Sequence, residues 1–216
     1  MNRVMKVLFF GLIVKPVVLI VLGINLRNRE KLPMSGPAII VANHNSHLDT
    51  LVLMSLYPLS MIHKVRPVAA ADYFLGGGGF LAWLSLACIG IIAMDRSGQS
   101  ARGSLFEGCH QALDNDDILI LFPEGSRGKP EEMSTLKKGV YFIIKDRPNT
   151  SVTPVMMHGL GRSLPKGEVL LVPFNCDVVV GDRVSVTDNS SSYVATISEQ
   201  FEQLSEHCLT KNENAQ

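Results

Sequence analysis

A chain of 216 residues, 46% hydrophobic and 19% charged, holds enough apolar material for a sizeable core in one domain. That composition excludes a disordered chain, a collagen-like chain and a long coiled coil, and the balance of 20 basic against 20 acidic side chains excludes a general nucleic-acid binder, which needs a basic face. The balance is uneven along the chain, +4 over residues 1–50, +1 over 51–176 and −5 over 177–216, which points to a membrane or an anionic ligand near the basic end.

The first predicted element is the apolar run Val4 to Ile24, VMKVLFFGLIVKPVVLIVLGI. As one helix it is just long enough to cross a hydrocarbon core. Lys15-Pro16 in its middle weakens a spanning reading, as do basic residues on both flanks, Arg3 and Lys6 before and Arg27, Arg29 and Lys31 after. A signal peptide would need a small-x-small cleavage site before Asn25, which is missing. The better fit is two short apolar helices, broken near Lys15-Pro16 and lying in one leaflet. A single span, a signal peptide and a core helix are the alternatives.

Ala38 to Ala42 reads as a strand ending at Asn43, Ser46 to Leu56 as a helix, and Arg66 to Ala70 as a strand. The uncharged run Phe74 to Met94 contains Gly76 to Gly79, so it is expected as a glycine loop, a short helix near Phe80 to Ala87 and a strand near Ile89 to Met94. Ala101 to Leu113 has helical spacing, and Ile118 to Phe122 is a continuous apolar strand of the kind buried in a parallel sheet. Leu136 to Lys145 is expected as a helix. Thr153 to Met157, Glu168 to Phe174 and Asp177 to Val180 are expected as strands, and Val194 to Leu209 as a helix with one apolar face. The residues after Thr210 read as a polar tail. Alternating strands and helices define an α/β single domain with a mixed, mostly parallel sheet flanked by helices. Cys88, Cys109, Cys176 and Cys208 are far apart, form no zinc-spaced cluster, and read as reduced, buried thiols of a cytoplasmic compartment.

Asn43-His44 follows a strand, at the end where ligands bind open α/β sheets. Asp49 lies five positions on. Within one helix these side chains would stand roughly 140° apart, but with His44 in the preceding turn and Asp49 in the first helical turn they can meet. Asp49 would then fix the His44 tautomer, and the other ring nitrogen could take a proton from a hydroxyl. The competing reading is a capping box, Ser46-x-x-Asp49, with His44 a satisfied loop residue. His47 is the rival histidine, but two positions from Asp49 it points elsewhere. The second constellation is Pro123-Glu124-Gly125-Ser126-Arg127-Gly128, directly after the buried strand. Gly125 lets backbone N–H groups approach an anion, Arg127 offers a planar donor suited to phosphate, and Lys137 and Lys138 could add charge. The alternative is a solvated turn with an internal Glu–Arg pair. Arg96, after the strand ending at Met94, could reach the same pocket or be a surface charge.

NHNSHLD (Asn43 to Asp49), GIIAMDR (Gly90 to Arg96), FPEGSR (Phe122 to Arg127) and VTPVMMHG (Val152 to Gly159) occur in this order. Together they resemble the four motif blocks of the glycerolipid acyltransferase family, over about residues 25 to 185. The resemblance implies that His44 is the catalytic base and Asp49 its partner. It also implies that Arg96, Glu124, Gly125, Ser126 and Arg127 bind the glycerol phosphate, and that Thr153-Pro154-Val155 helps form the acyl site. It implies a domain order of membrane-associated anchor 1–24, acyltransferase domain 25–210 and polar tail 211–216.

The implied reaction moves an acyl chain from an acyl thioester of coenzyme A or acyl carrier protein to a lysolipid hydroxyl, giving phosphatidic acid from 1-acylglycerol-3-phosphate. It needs no metal and no other cofactor, and its place is the cytoplasmic face of the cell membrane, monotopic or single-span. Another lysolipid or an amino-acid lipid as acceptor, and an inactive lipid-binding protein, are the alternatives. The resemblance departs at Pro67 to Tyr73, where phosphate-using bacterial members typically carry lysine; here lysine is missing, and Lys64 and Arg66 stand just upstream as candidates to compensate.

Overall fold

The computed structural model describes residues 3–46, 48–70, 88–94, 105–128, 131–163, 172 and 174–212. Within them the strands β1 (Gly23–Arg27), β2 (Ala38–Ala42), β3 (Val65–Ala70), β4 (Ile92–Met94), β5 (Ile118–Leu121), β6 (Ser151–His158) and β7 (Asn175–Val180) form one sheet in the order β1-β7-β6-β2-β5-β3-β4. Every pairing is parallel except β6 with β7. The architecture is thus an α/β single domain with a mixed, mostly parallel sheet.

Alternation along the strands explains the layers, because successive side chains leave opposite faces. Ala38, Ile40 and Ala42 of β2, with Ile118 and Ile120 of β5, face one side, packed with Val52 and Leu53 of α3 (Leu48–Ser55). Ile39, Val41, Leu119 and Leu121 face the other, under α4 (Glu107–Asp114), α5 (Gly139–Ile144) and α7 (Ser190–Ser205). Helices cover both faces, so the central strands are apolar on both sides and read as unbroken runs.

The N-terminal run differs from expectation. It is helical from Arg3 to Val21, as α1 (Arg3–Phe9), a π turn (Phe10–Val14) and α2 (Lys15–Val21), without a break at Lys15-Pro16. In the π turn Lys15 N–H donates to the Phe10 carbonyl; the wider turn makes room for the proline ring, and the helix continues. Phe10, Val14 and Val18 point into the core shared with β2 and β7, whereas Leu12, Leu19 and Ile20 are 73%, 73% and 81% exposed. The boundary expected at residue 24 falls inside β1, which lies parallel to β7 at the sheet margin. Among the described residues no helix is long and apolar enough to cross a membrane.

One other expectation changes. The polar tail begins later, because α8 (Leu209–Asn212) follows α6 (Leu160–Ser163) and α7 as a last helix, with Thr210 buried. Thr210 donates from N and Oγ1 to Asp177 Oδ2 at 2.8 and 2.7 Å, while its Oγ1 lies 2.7 Å from His158 Nδ1. The glycine loop at Gly76 to Gly79, the helix near Phe80 to Ala87 and nearly all of the strand at Glu168 to Phe174 lie outside the described residues. The four cysteines are free and buried, and burial pushes the thiols of Cys109 and Cys208 up to about 12 and that of Cys176 to about 11.

Candidate active site

Strands β6, β2, β5, β3 and β4 are neighbours and all parallel, so their C-terminal ends share one edge of the sheet. Segments far apart in sequence arrive there together: Asn43-His44 after β2, Phe122 to Gly128 after β5 and His158 at the end of β6. This is the ligand-binding edge of an open α/β sheet.

Asn43, 1% exposed, continues the β2–β6 ladder with its side chain. Its Nδ2 donates to the Met157 carbonyl at 2.8 Å and its Oδ1 accepts from Met157 N–H at 2.7 Å. The main chain is thereby released from the sheet at His44. The His44 ring stacks on Phe122 with centroids 4.1 Å apart and planes at 19°. Its Nδ1 lies 2.9 Å from Oδ2 of Asp49, in the first turn of α3. The same oxygen accepts the backbone N–H groups of Asn45 at 2.7 Å and Ser46 at 2.8 Å, and Leu48 N–H donates to Ser46 Oγ at 3.2 Å.

The capping box and the His–Asp pair therefore exist together, sharing one carboxylate. A carboxylate has no proton to give, so Nδ1 donates and the neutral ring carries its lone pair on Nε2. Nε2 has no hydrogen-bond partner among the described residues. His47 lies outside those residues.

Glu124 stands in the turn after β5 with its carboxylate directed inward. It is 2% exposed, with Oε1 accepting His44 N–H at 2.7 Å and Oε2 accepting Ser134 N–H at 2.7 Å. Burial pushes its carboxyl up, against the opposing pull of those two N–H groups. Gly128 N–H closes the brace on the His44 carbonyl at 3.3 Å. Glu124 thus holds the backbone of the histidine, and an inward carboxylate is a poor partner for phosphate.

Gly125 adopts φ +76, a conformation that favours glycine, and turns the chain outward. Ser126 is exposed and Arg127 partly so. Arg96 lies outside the described residues. Thr153 to Val155 lie inside β6, short of its C-terminal end, with Thr153 and Val155 fully buried.

Lys64 and Arg66 do not replace the missing lysine. They stand at the start of β3, on the opposite sheet edge, where Lys64 Nζ donates to the Asn115 carbonyl at 2.6 Å and Arg66 Nη1 lies 3.8 Å from Asp117. Among the described residues no group of acidic, histidine and cysteine side chains is placed to hold a metal ion. The bracing by Asn43 and Glu124 was not read from the sequence. Its one available signal was a polar residue close to the end of each of the two apolar central strands, Asn43 directly after β2 and Glu124 three positions after β5.

A histidine–carboxylate pair whose Nε2 has no partner among the described residues, at the carboxyl edge of a largely parallel sheet, defines a class: an α/β protein with a histidine site at the ligand-binding edge of its sheet. The family model described as Acyltransferase matches residues 23–158, and the chain belongs to that family. Residues of this chain are 28% identical over 159 residues to the chloroplastic 1-acyl-sn-glycerol-3-phosphate acyltransferase LPAT1 of Arabidopsis thaliana, covering 73% of this chain and 42% of that one. They are 29% identical over 124 residues to the 1-acyl-sn-glycerol-3-phosphate acyltransferase of Helicobacter pylori, covering 57% and 49%. The chain spans about half the length of the curated relatives it matches. The crystal structure of the 1-acyl-sn-glycerophosphate acyltransferase from Thermotoga maritima has the same fold, with TM-score 0.72 at 17% identity over 94% of this chain and 78% of that one.

Proposed function

We propose that this protein is an O-acyltransferase that acylates the free hydroxyl of 1-acylglycerol-3-phosphate, giving phosphatidic acid, with an acyl thioester of coenzyme A or acyl carrier protein as donor. The observation that carries the reading is the His44 Nδ1–Asp49 Oδ2 contact of 2.9 Å, with Nε2 left to face a substrate. Membership of the acyltransferase family and the names of the relatives supply the reaction class and the acceptor.

The chemistry follows from the pair. The acceptor hydroxyl gives its proton to His44 Nε2 as its oxygen bonds to the thioester carbonyl carbon. The tetrahedral adduct collapses with cleavage of the C–S bond, and the departing thiolate takes the proton back from Nε2. Asp49 holds the ring in the required tautomer and stabilises the imidazolium that forms in between. The chain carries no G-x-S-x-G elbow, and direct transfer needs no acyl-enzyme.

The outward face of the N-terminal helix supports a place at the membrane surface. Val4, Leu8, Leu12, Ile13, Leu19 and Ile20 are all more than half exposed, on a helix whose other face is built into the core. That face lies in one leaflet, at the cytoplasmic surface, and brings the sheet edge to lipid acceptors. The test is mass spectrometry of products after incubating purified protein with a panel of lysolipids and with acyl-CoA or acyl-carrier-protein thioesters. Phosphatidic acid from the 1-acylglycerol-3-phosphate arm is the expected result. Acylation of other acceptors with none of this one would overturn the proposal.

A further inference from the structure

A phosphate-bearing acceptor needs a cation close to the base, because the reacting hydroxyl and the phosphate share one glycerol unit. The expected lysine after the first motif block is missing, and several other cations among the described residues are engaged elsewhere. Lys31 pairs with Asp182, Lys64 and Arg66 with Asp117, and Lys138 donates to Ser191 Oγ at 3.0 Å. Lys137 differs. It is exposed, and it makes no side-chain hydrogen bond or ion pair among the described residues.

Its position is built rather than accidental. Lys137 N–H donates to the Pro123 carbonyl at 2.8 Å, which lays this segment back over the turn. The side chain then crosses the bare face of Gly125: a Cβ there would meet Lys137 Nζ at 2.6 Å and its Cδ and Cε at 3.1 Å. Gly125 is therefore favoured for its φ of +76, and without a Cβ it leaves the Lys137 side chain free to lie across it. The turn beneath the ammonium is tied to the histidine through Glu124 Oε1 and through Gly128 N–H.

We propose that Lys137 is the phosphate-binding cation of this site, its ammonium held over Gly125 to receive the phosphomonoester of the lysolipid acceptor. The proposal rests on the acyl-transfer reading for its acceptor, and its test separates the two. Lys137→Ala raises the KM for 1-acylglycerol-3-phosphate ~10- to 100-fold, the loss of a charge-assisted contact, and leaves the KM for the acyl thioester unchanged. Lys137→Arg restores most of the loss. Lys138→Ala, with the same change of charge one residue away, leaves the acceptor KM as it was.

Calorimetric binding of glycerol 3-phosphate needs no turnover, and Lys137→Ala weakens it by the same factor. An unchanged acceptor KM, a rise confined to the thioester KM, equal glycerol 3-phosphate binding by both proteins, or no binding by the wild type would each overturn the role of Lys137. Wild-type protein that binds glycerol 3-phosphate through Lys137 but acylates no lysolipid would overturn the acyl-transfer reading alone.

Discussion

The two edges of the sheet carry similar charged residues and use them in opposite ways. At the edge where β3 and β5 begin, Lys6, Lys64 and Arg66 surround Asp117, and their polar hydrogens are spent on it or on carbonyls; buried Lys6 donates to the Val65 carbonyl at 2.8 Å. At the edge where β2 and β5 end, Asp49 and Glu124 turn inward to brace backbone N–H groups, and His44 Nε2 and Lys137 Nζ have no partner among the described residues. The first edge closes the fold. The second holds its acids in the frame beside an imidazole and an ammonium, the base and the cation of the proposed reaction. Charge alone does not mark a site; charge left without an internal partner by a braced backbone does.

Substitutions that break this division should differ in size. Asp49→Asn replaces the carboxylate that holds the ring and balances an imidazolium by a neutral amide, whose NH2 can also turn to Nδ1 and select the wrong tautomer, and we expect kcat to fall by ~10²- to 10⁴-fold with the fold retained, measured by steady-state kinetics and circular dichroism. Glu124→Gln comes next. The amide offers one acceptor to two N–H donors, so a fall in kcat of about 10- to 100-fold and a loss of about 1–3 kcal/mol in denaturant unfolding are expected, with donor and acceptor KM little changed. A raised acceptor KM with unchanged kcat would instead return Glu124 to the phosphate.

At the opposite edge the effects concern stability. Burial, with Arg66 nearby, lowers the Lys6 pKa from 10.5 to about 7. The unfolded chain therefore holds one more proton than the folded one between these values. Stability should rise with pH from about 7 towards 10.5 and be lost as pH falls through 7, by at most about 5 kcal/mol. Lys6→Met should flatten this slope in melting curves taken at pH 7 and pH 9.5, and a slope that survives would remove Lys6 as its source. The smallest effect belongs to Lys64→Ala, which should leave the acceptor KM within about twofold, since its partners are the Asn115 carbonyl and Asp117.

The parts of the fold legible in the sequence are those governed by short-range pattern. Ala38 to Ala42 and Ile118 to Phe122 are unbroken apolar runs because both faces of β2 and β5 are covered. β1 was hidden because Gly23 to Ile24 look like the end of an apolar helix, and its partner β7 lies some 150 residues away. The helix through Lys15-Pro16 was hidden because a π turn ahead of the proline has no compositional mark.

In the site, the spacing of His44 and Asp49 was readable as two competing motifs, and in the folded chain one oxygen serves both. The inward direction of Glu124 was hidden for the same reason. The direction of its carboxylate is set by His44 N–H, 80 positions earlier, and nothing local to FPEGSR specifies it.

The central claim is that His44 Nε2 is the base of an acyl transfer. It is tested most directly by His44→Ala beside wild type, with 1-acylglycerol-3-phosphate and acyl thioester at saturation and phosphatidic acid quantified by mass spectrometry. We expect the variant to melt within a few degrees of wild type and to form product at least ~10³-fold more slowly. Product formation by a folded His44→Ala protein at a rate near that of wild type would contradict the account.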